Sequence, residues 1–246
     1  LSMAIGGIIA VWYMCFAARQ LRPIRLKWSC RSLLYSIRNI GYQCTIGMSA
    51  LMGECTMAVL ALIGNYVFGA YLGDAGIGAF GIACYYTPFV YMIGNAVAQS
   101  AQPIISYNYG SGDSCRVRST LRVALLAAVV CGGSVSTAFV FFPYQLVELF
   151  INTNEAAFPL AVKGFPLMAT AFVFFIVNLT LIGYYQSVER VRPAMVFALL
   201  RGIFFLVPCF LVLPLWFDET GIWIALGMSE MLTTLCILGY MWHGNR

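Results

Sequence analysis

The sequence predicts an all-α membrane protein: a six-helix transmembrane lobe plus the remnant of a preceding helix. Three observations carry this. Of 246 residues, 61% are hydrophobic and only 9% charged, with a mean hydropathy of +0.85. A soluble domain carries about 25% charged residues. Apolar stretches long enough to cross a bilayer as helices, about 20 residues each, recur along the chain. The connections between them alternate between basic and acidic, and Lys and Arg concentrate on the cytoplasmic side of membrane proteins.

The elements follow in order. Leu1–Ala18 is apolar with no polar lead. It reads as a truncated transmembrane helix, since a chain terminus in hydrocarbon is unfavourable. An uncleaved signal-like segment is the other reading, but the basic lead and small-residue cleavage site are missing. Residues 19–40 form a basic connector holding Arg19, Arg22, Arg25, Lys27, Arg31 and Arg38 and no acid. Residues 41–246 form the lobe. Its first span is Gly41–Gly69, extending to about Leu72, followed by a turn at Gly73-Asp74-Ala75-Gly76. The second, 77–107, contains Pro88 and Pro103, which predict kinks. The third is 119–142. Pro143–Phe158 is mixed in character and fits a short surface helix. The fourth is 160–186. The fifth, 194–217, contains Pro208 and Pro214, and Asp218-Glu219-Thr220 turns the chain into the sixth, 221–242.

The loops support this count. Arg116, Arg118 and Arg122 follow span two, Arg190 and Arg192 follow span four, and the tail ends in Arg246. The opposite connections hold Asp74, then Glu148 and Glu155 beside Lys163, then Asp218 and Glu219. Both ends of the lobe are therefore expected in the cytoplasm. The net charge of +5 sits in these short loops and is no nucleic-acid footprint. The nine cysteines show no CxxC pair or metal-ligand spacing, and most lie in apolar runs as small inert residues. His243 is the one histidine, so no His-based metal site or triad is available. No Walker loop, HExxH or DDxxD carboxylate pair is present.

The polar residues inside the spans are the candidates for function. Glu54 is the one ionisable group of the first span and falls near its middle. A charge at mid-membrane costs at least ~2.5–3.5 kcal/mol, so such acids usually face a protein interior or a watery path. Ala50, Glu54, Ala58, Ala61 and Asn65 share one helix face. That face is either the wall of a polar cavity or a close helix contact. In the second span Asn95, Gln99, Gln102 and Ser106 also share a face. They form a cavity wall or make interhelical hydrogen bonds, which are worth ~0.6 kcal/mol each on average. A carboxyl at Glu54 can hold and release a proton, bind Na⁺ or meet a cationic substrate. Glu230, with Thr233 and Thr234 one turn on, is a second ion site or the partner of Arg201 in span five. Pairing or snorkelling is the more economical reading of those two. Asn178 is central in span four, and Tyr185 lies on its face.

Four stretches carry a family likeness: AVAQSAQPIISYNYG (Ala96–Gly110), IGYYQSVER (Ile182–Arg190), LLRGIFFLVP (Leu199–Pro208) and GIWIALGMSEMLTT (Gly221–Thr234). They resemble the C-terminal half of MATE (multidrug and toxic compound extrusion) transporters. The QPIISYNYG stretch with its basic loop is the most specific part. The resemblance implies two six-helix lobes around a central cavity, with residues 19–40 as the interlobe linker and an N-terminal lobe missing here. It also implies export of cationic, amphipathic, drug-like compounds in exchange for Na⁺ or H⁺, with no cofactor, metal or enzymatic step. Some members carry an acid on the seventh helix, where Glu54 falls. Others add an Asp on the tenth, where this chain has Asn178, so a paired-carboxylate site is not implied.

The expected coupling residues are thus Glu54, Asn178 and Glu230. The expected cavity residues are Asn65, Asn95, Gln99, Gln102, Tyr185 and Arg201. The alternatives are a lipid-linked sugar flippase of the same superfamily, which would need several cavity-facing cations, and a membrane-embedded enzyme, which would need clustered carboxylates, His or a nucleophile near one interface. A channel lacks a filter-like loop.

Overall fold

The computed structural model describes residues 5–9, 12–13 and 30–243. The chain divides into two units, Leu1–Cys44 and Thr45–Arg246. In the first, 5–9 and 12–13 are helical, and the backbone is helical again from Cys30. The rest of the expected truncated helix, and residues 19–29 of the connector, lie outside the described residues. The first long helix thus starts inside the expected connector rather than at Gly41. A helix need not stop where hydrocarbon stops, and 30–40 contains neither Gly nor Pro to end it.

The described residues are almost entirely helical, with no strand among them. Helix α1 (Cys30–Gly110) consists of two arms, 30–72 and 74–110, that meet at Gly73. Gly73 has φ 63° and ψ −155°, a region of backbone space open essentially to glycine alone. Within Thr45–Arg246 the arms run antiparallel about it. Phe68 stacks on Phe80 at 4.7 Å, and Tyr91 bonds to Glu54 far from the turn. Pro88 and Pro103 sit inside the second arm, and Gly73 is the non-helical residue of α1. Helix α2 (Ser114–Phe141) follows a three-residue loop, its N-terminus capped by the Asp113 side chain. The short α3 (Pro143–Glu148) is the expected surface helix, started by a proline in its first turn. It is pinned by buried Val147 and by Tyr86 Oη donating to the Leu146 carbonyl at 2.9 Å.

Helix α4 (Ala157–Ser187) is the axis of the lobe, with most of its residues buried. An amphipathic surface helix would bury a single stripe; this one is apolar nearly all round because neighbours cover it. Helix α5 (Val191–Leu199) passes through a π-turn at Leu200–Phe204 into α6 (Leu206–His243). The Phe205 N–H bonds the Leu200 carbonyl at 2.9 Å, the i to i+5 pattern of a π-turn. Pro208 explains its place: proline donates no N–H and its ring crowds the carbonyl four residues back, that of Phe204. Helix α6 turns back on itself at Asp218 (φ 46°, ψ −130°), giving arms 206–217 and 219–243.

Four continuous helical stretches are long and apolar enough to cross a membrane, and two of them, 60 and 53 residues long, fold back at Gly73 and Asp218. Six crossings result, with turns where the sequence predicts them. The acidic turns share one end, where Lys163 of α4 pairs with Glu219 at 3.5 Å. The arginine-bearing loops share the other, where Tyr109, Arg118, Arg190 and Tyr240 line one cavity. The main core is aromatic. Phe139, Phe165, Phe172 and Trp223 join α2, α4 and α6 by stacked and edge-on contacts at 4.8–6.4 Å.

Candidate functional site

The antiparallel register of the two α1 arms brings Glu54 opposite Tyr91, near the midpoint of arm 74–110. Tyr91 Oη donates to Glu54 Oε1 at 2.7 Å. Tyr91 stands one helical turn before Asn95 and so extends the polar stripe Asn95–Gln99–Gln102. These residues line a cavity of about 410 Å³, within the range of small-molecule sites. Gly53, Glu54, Tyr91, Asn95, Gln99 and Gln102 of α1 form one wall. Leu179, Ile182, Gly183 and Gln186 of α4 and Arg201 of the π-turn form the other. Gln102 Nε2 lies 3.4 Å from Gln186 Oε1, a long bond across the floor. Gly183 keeps α4 close: a Cβ there would meet Ala98 and the Gln102 amide at 3.2–3.3 Å.

Behind the second wall lies a buried polar network. Arg201 and Glu230 are each 1% exposed. Arg201 Nε donates to Glu230 Oε1 at 2.6 Å, and Asn178 Nδ2 donates to Glu230 Oε2 at 2.7 Å. Thr234 Oγ1 donates to Asn178 Oδ1 at 2.9 Å. The guanidinium lies over the Phe175 ring at 4.1 Å, a cation–π contact. One donor, Arg201 Nη2, is left without a protein partner among the described residues, on a side chain that lines the cavity. The π-turn places this residue. Gly202 beside it packs on buried Thr56, onto which a Cβ at Gly202 would fall, so the turn lies against the arm that carries Glu54.

The structure therefore brings together Glu54, Asn95, Gln99, Gln102 and Arg201 of the expected residues. It does not bring Asn65 and Tyr185 to that cavity. Asn65 lies 11 residues beyond Glu54, ~16 Å further along the helix; its amide donates to the carbonyl of Ala61 at 2.9 Å. Tyr185 is 3% exposed and packs against Tyr184, Phe197 and Tyr240 at the arginine end. Ser106 is likewise off the cavity, donating to the Ser187 carbonyl at 3.2 Å. Asn178 and Glu230 stand in the network with Arg201 rather than on the open wall. Sequence reasoning missed Tyr91 and Gln186. The i−4 spacing from Asn95 marks Tyr91, but an aromatic ring there reads equally as packing.

A membrane bundle with a polar cavity walled by separate helices has the architecture of a transporter lobe. The MatE family model matches residues 50–211, and the chain belongs to that family of transporters. A probable multidrug resistance protein NorM of Rhizobium meliloti (strain 1021) is 29% identical over 159 residues, 62% of this chain and 34% of that protein. An outward-facing multidrug resistance MATE family transporter of the MOP superfamily superposes with a TM-score of 0.84 at 15% identity, over 98% of this chain and 53% of its own. The MATE multidrug transporter DinF-BH, solved with R6G, gives 0.70 at 24% identity over 84% of this chain and 46% of its own. The chain thus spans about half the length of these solved relatives and a third of the curated one.

Proposed function

We propose that this chain, together with an N-terminal lobe like that of its longer relatives, exports cationic or amphipathic drug-like compounds in exchange for Na⁺ or H⁺. The observation that carries the reading is electrostatic. Arg201 is neutralised by Glu230, so Glu54 is the uncompensated charge on the cavity wall among the described residues. A wall with one free carboxylate favours a proton, a metal cation or an organic cation, and exchange between these is antiport. Amide side chains at Asn95, Gln99 and Gln102 supply adaptable donors and acceptors. Glu54 is the coupling and substrate residue in this scheme. Asn178 and Glu230 hold Arg201 in place and carry the charge balance. The two lobes rock to expose the cavity alternately, in the inner membrane with the arginine loops cytoplasmic. The flippase alternative is not favoured, since the one intramembrane cation on this wall is already paired.

The test is ethidium efflux from cells expressing the full-length protein, driven in turn by a Na⁺ step and a pH step. Glu54→Gln is expected to abolish export with membrane expression intact; wild-type export by that variant removes Glu54 from the mechanism. Gln99→Ala is expected to change the ranking of exported drugs several-fold more than the rate of ion movement. An equal loss across all substrates would instead assign Gln99 a structural role.

A further inference from the structure

A second cavity, also of about 410 Å³, lies at the arginine end of the lobe, apart from the one already described. Two of the stretches that carry the family likeness meet there: the loop after QPIISYNYG and the end of IGYYQSVER. Arg118 and Arg190, both exposed, stand on its wall with Tyr109, Tyr184, Tyr185 and Tyr240. No lining residue is acidic. Neither arginine has an ion-pair partner among the described residues. The nearest acid in sequence to the first, Asp113, is occupied by Arg116, whose backbone N–H it accepts at 3.0 Å and whose Nε it meets at 3.4 Å. Glu189, beside Arg190, is not part of the lining. In its floor Tyr185 packs edge-on against Tyr184 and Tyr240 at 5.3 and 5.9 Å.

We infer that this cavity binds the phosphate-bearing headgroup of an anionic phospholipid from the adjoining leaflet. Two unpaired guanidinium groups with no carboxylate among them attract an anion, and arginine matches phosphate oxygens by paired N–H donors. Tyrosine suits the same depth, where its ring meets apolar chains and its hydroxyl meets headgroups. Basic pockets between transmembrane helices on the cytoplasmic side are a recurring form of headgroup site. The volume exceeds what a lone phosphate fills and accommodates a glycerol-phosphate headgroup. A lipid held there would bridge α1, α2, α4 and α6 at the end where the helices of the lobe meet their basic loops. The inference does not depend on drug export.

The experiment uses the full-length transporter, exchanged into an equal mixture of phosphatidylglycerol and phosphatidylcholine, with retained lipid counted by native mass spectrometry. Wild type is expected to retain phosphatidylglycerol selectively. Arg118→Gln/Arg190→Gln is expected to bind it roughly 20–30-fold more weakly, from about fivefold per arginine near an anionic surface. Its thermal midpoint in pure phosphatidylcholine should match wild type, since both arginines are exposed. Arg118→Lys/Arg190→Lys, which keeps the charge, should retain most of the selectivity. Unchanged lipid selectivity in the glutamine variant overturns the proposal. So does displacement of the lipid by millimolar inorganic phosphate, which would make this a site for a soluble anion.

Discussion

Arg201 and Glu230 cost the lobe more apart than together. Removing one partner of a buried ion pair strands the other charge, at about 3–5 kcal/mol, whereas replacing both with apolar groups of similar volume is often neutral. Arg201→Ala or Glu230→Ala is therefore expected to lose about that much stability, read as a fall in thermal midpoint in detergent. Arg201→Met/Glu230→Met should recover most of it. If the double variant is as unstable as either single one, the pairing is not what holds these residues. Sequence reading favoured pairing or snorkelling over an ion site for these two, and the structure shows the pair; residues 29 apart meet only if the turn between them sets the register. The same holds for Glu54 and Tyr91. The polar stripe was legible, because helical spacing alone puts Asn95, Gln99 and Gln102 on one face. Asn65 follows the spacing of Glu54 equally well and still misses the cavity, because periodicity specifies direction around an axis but not height along it.

The hairpin turns and the π-turn are the elements that set that height. Gly73→Ala is expected to destabilise the lobe by about 1–3 kcal/mol, since its backbone conformation lies outside what a Cβ tolerates. Asp218, a non-glycine residue at φ 46°, carries strain of the same kind. Asp218→Gly should be neutral or stabilise by up to about 1 kcal/mol, for left-handed backbone costs an L-residue roughly 1–2 kcal/mol. Thermal unfolding of the two variants side by side checks both, and equal losses would place the bends elsewhere. Both turns were readable from Gly, Asp and Thr clusters between apolar runs. The π-turn was not. Pro208 announces a defect in the helix, but not whether it becomes a kink or an extra residue in the turn. With the π-turn in place, Gly202 seats against Thr56, where a Cβ would collide.

Across the whole lobe, the basic loops lie at one end and the acidic turns at the other, and the expected orientation puts the basic end in the cytoplasm. Cys115 is exposed in the first turn of α2 at that end. With Cys115 as the single cysteine of the full-length protein, a membrane-impermeant maleimide is expected to label inside-out vesicles and not intact cells. A cysteine introduced by Asn154→Cys should give the reverse. Labelling of Cys115 in intact cells would invert the topology. The residue string was sufficient for the membrane class, the number of crossings and which faces are polar, because hydropathy, helical period and turn chemistry are local properties of a chain. Which of those faces meet, that Arg201 is paired with Glu230 and Glu54 is not, and that a second cavity opens at the arginine end, came from packing. Contacts between residues distant along the chain depend on where bends fall and how closely helices approach, and no periodicity encodes either.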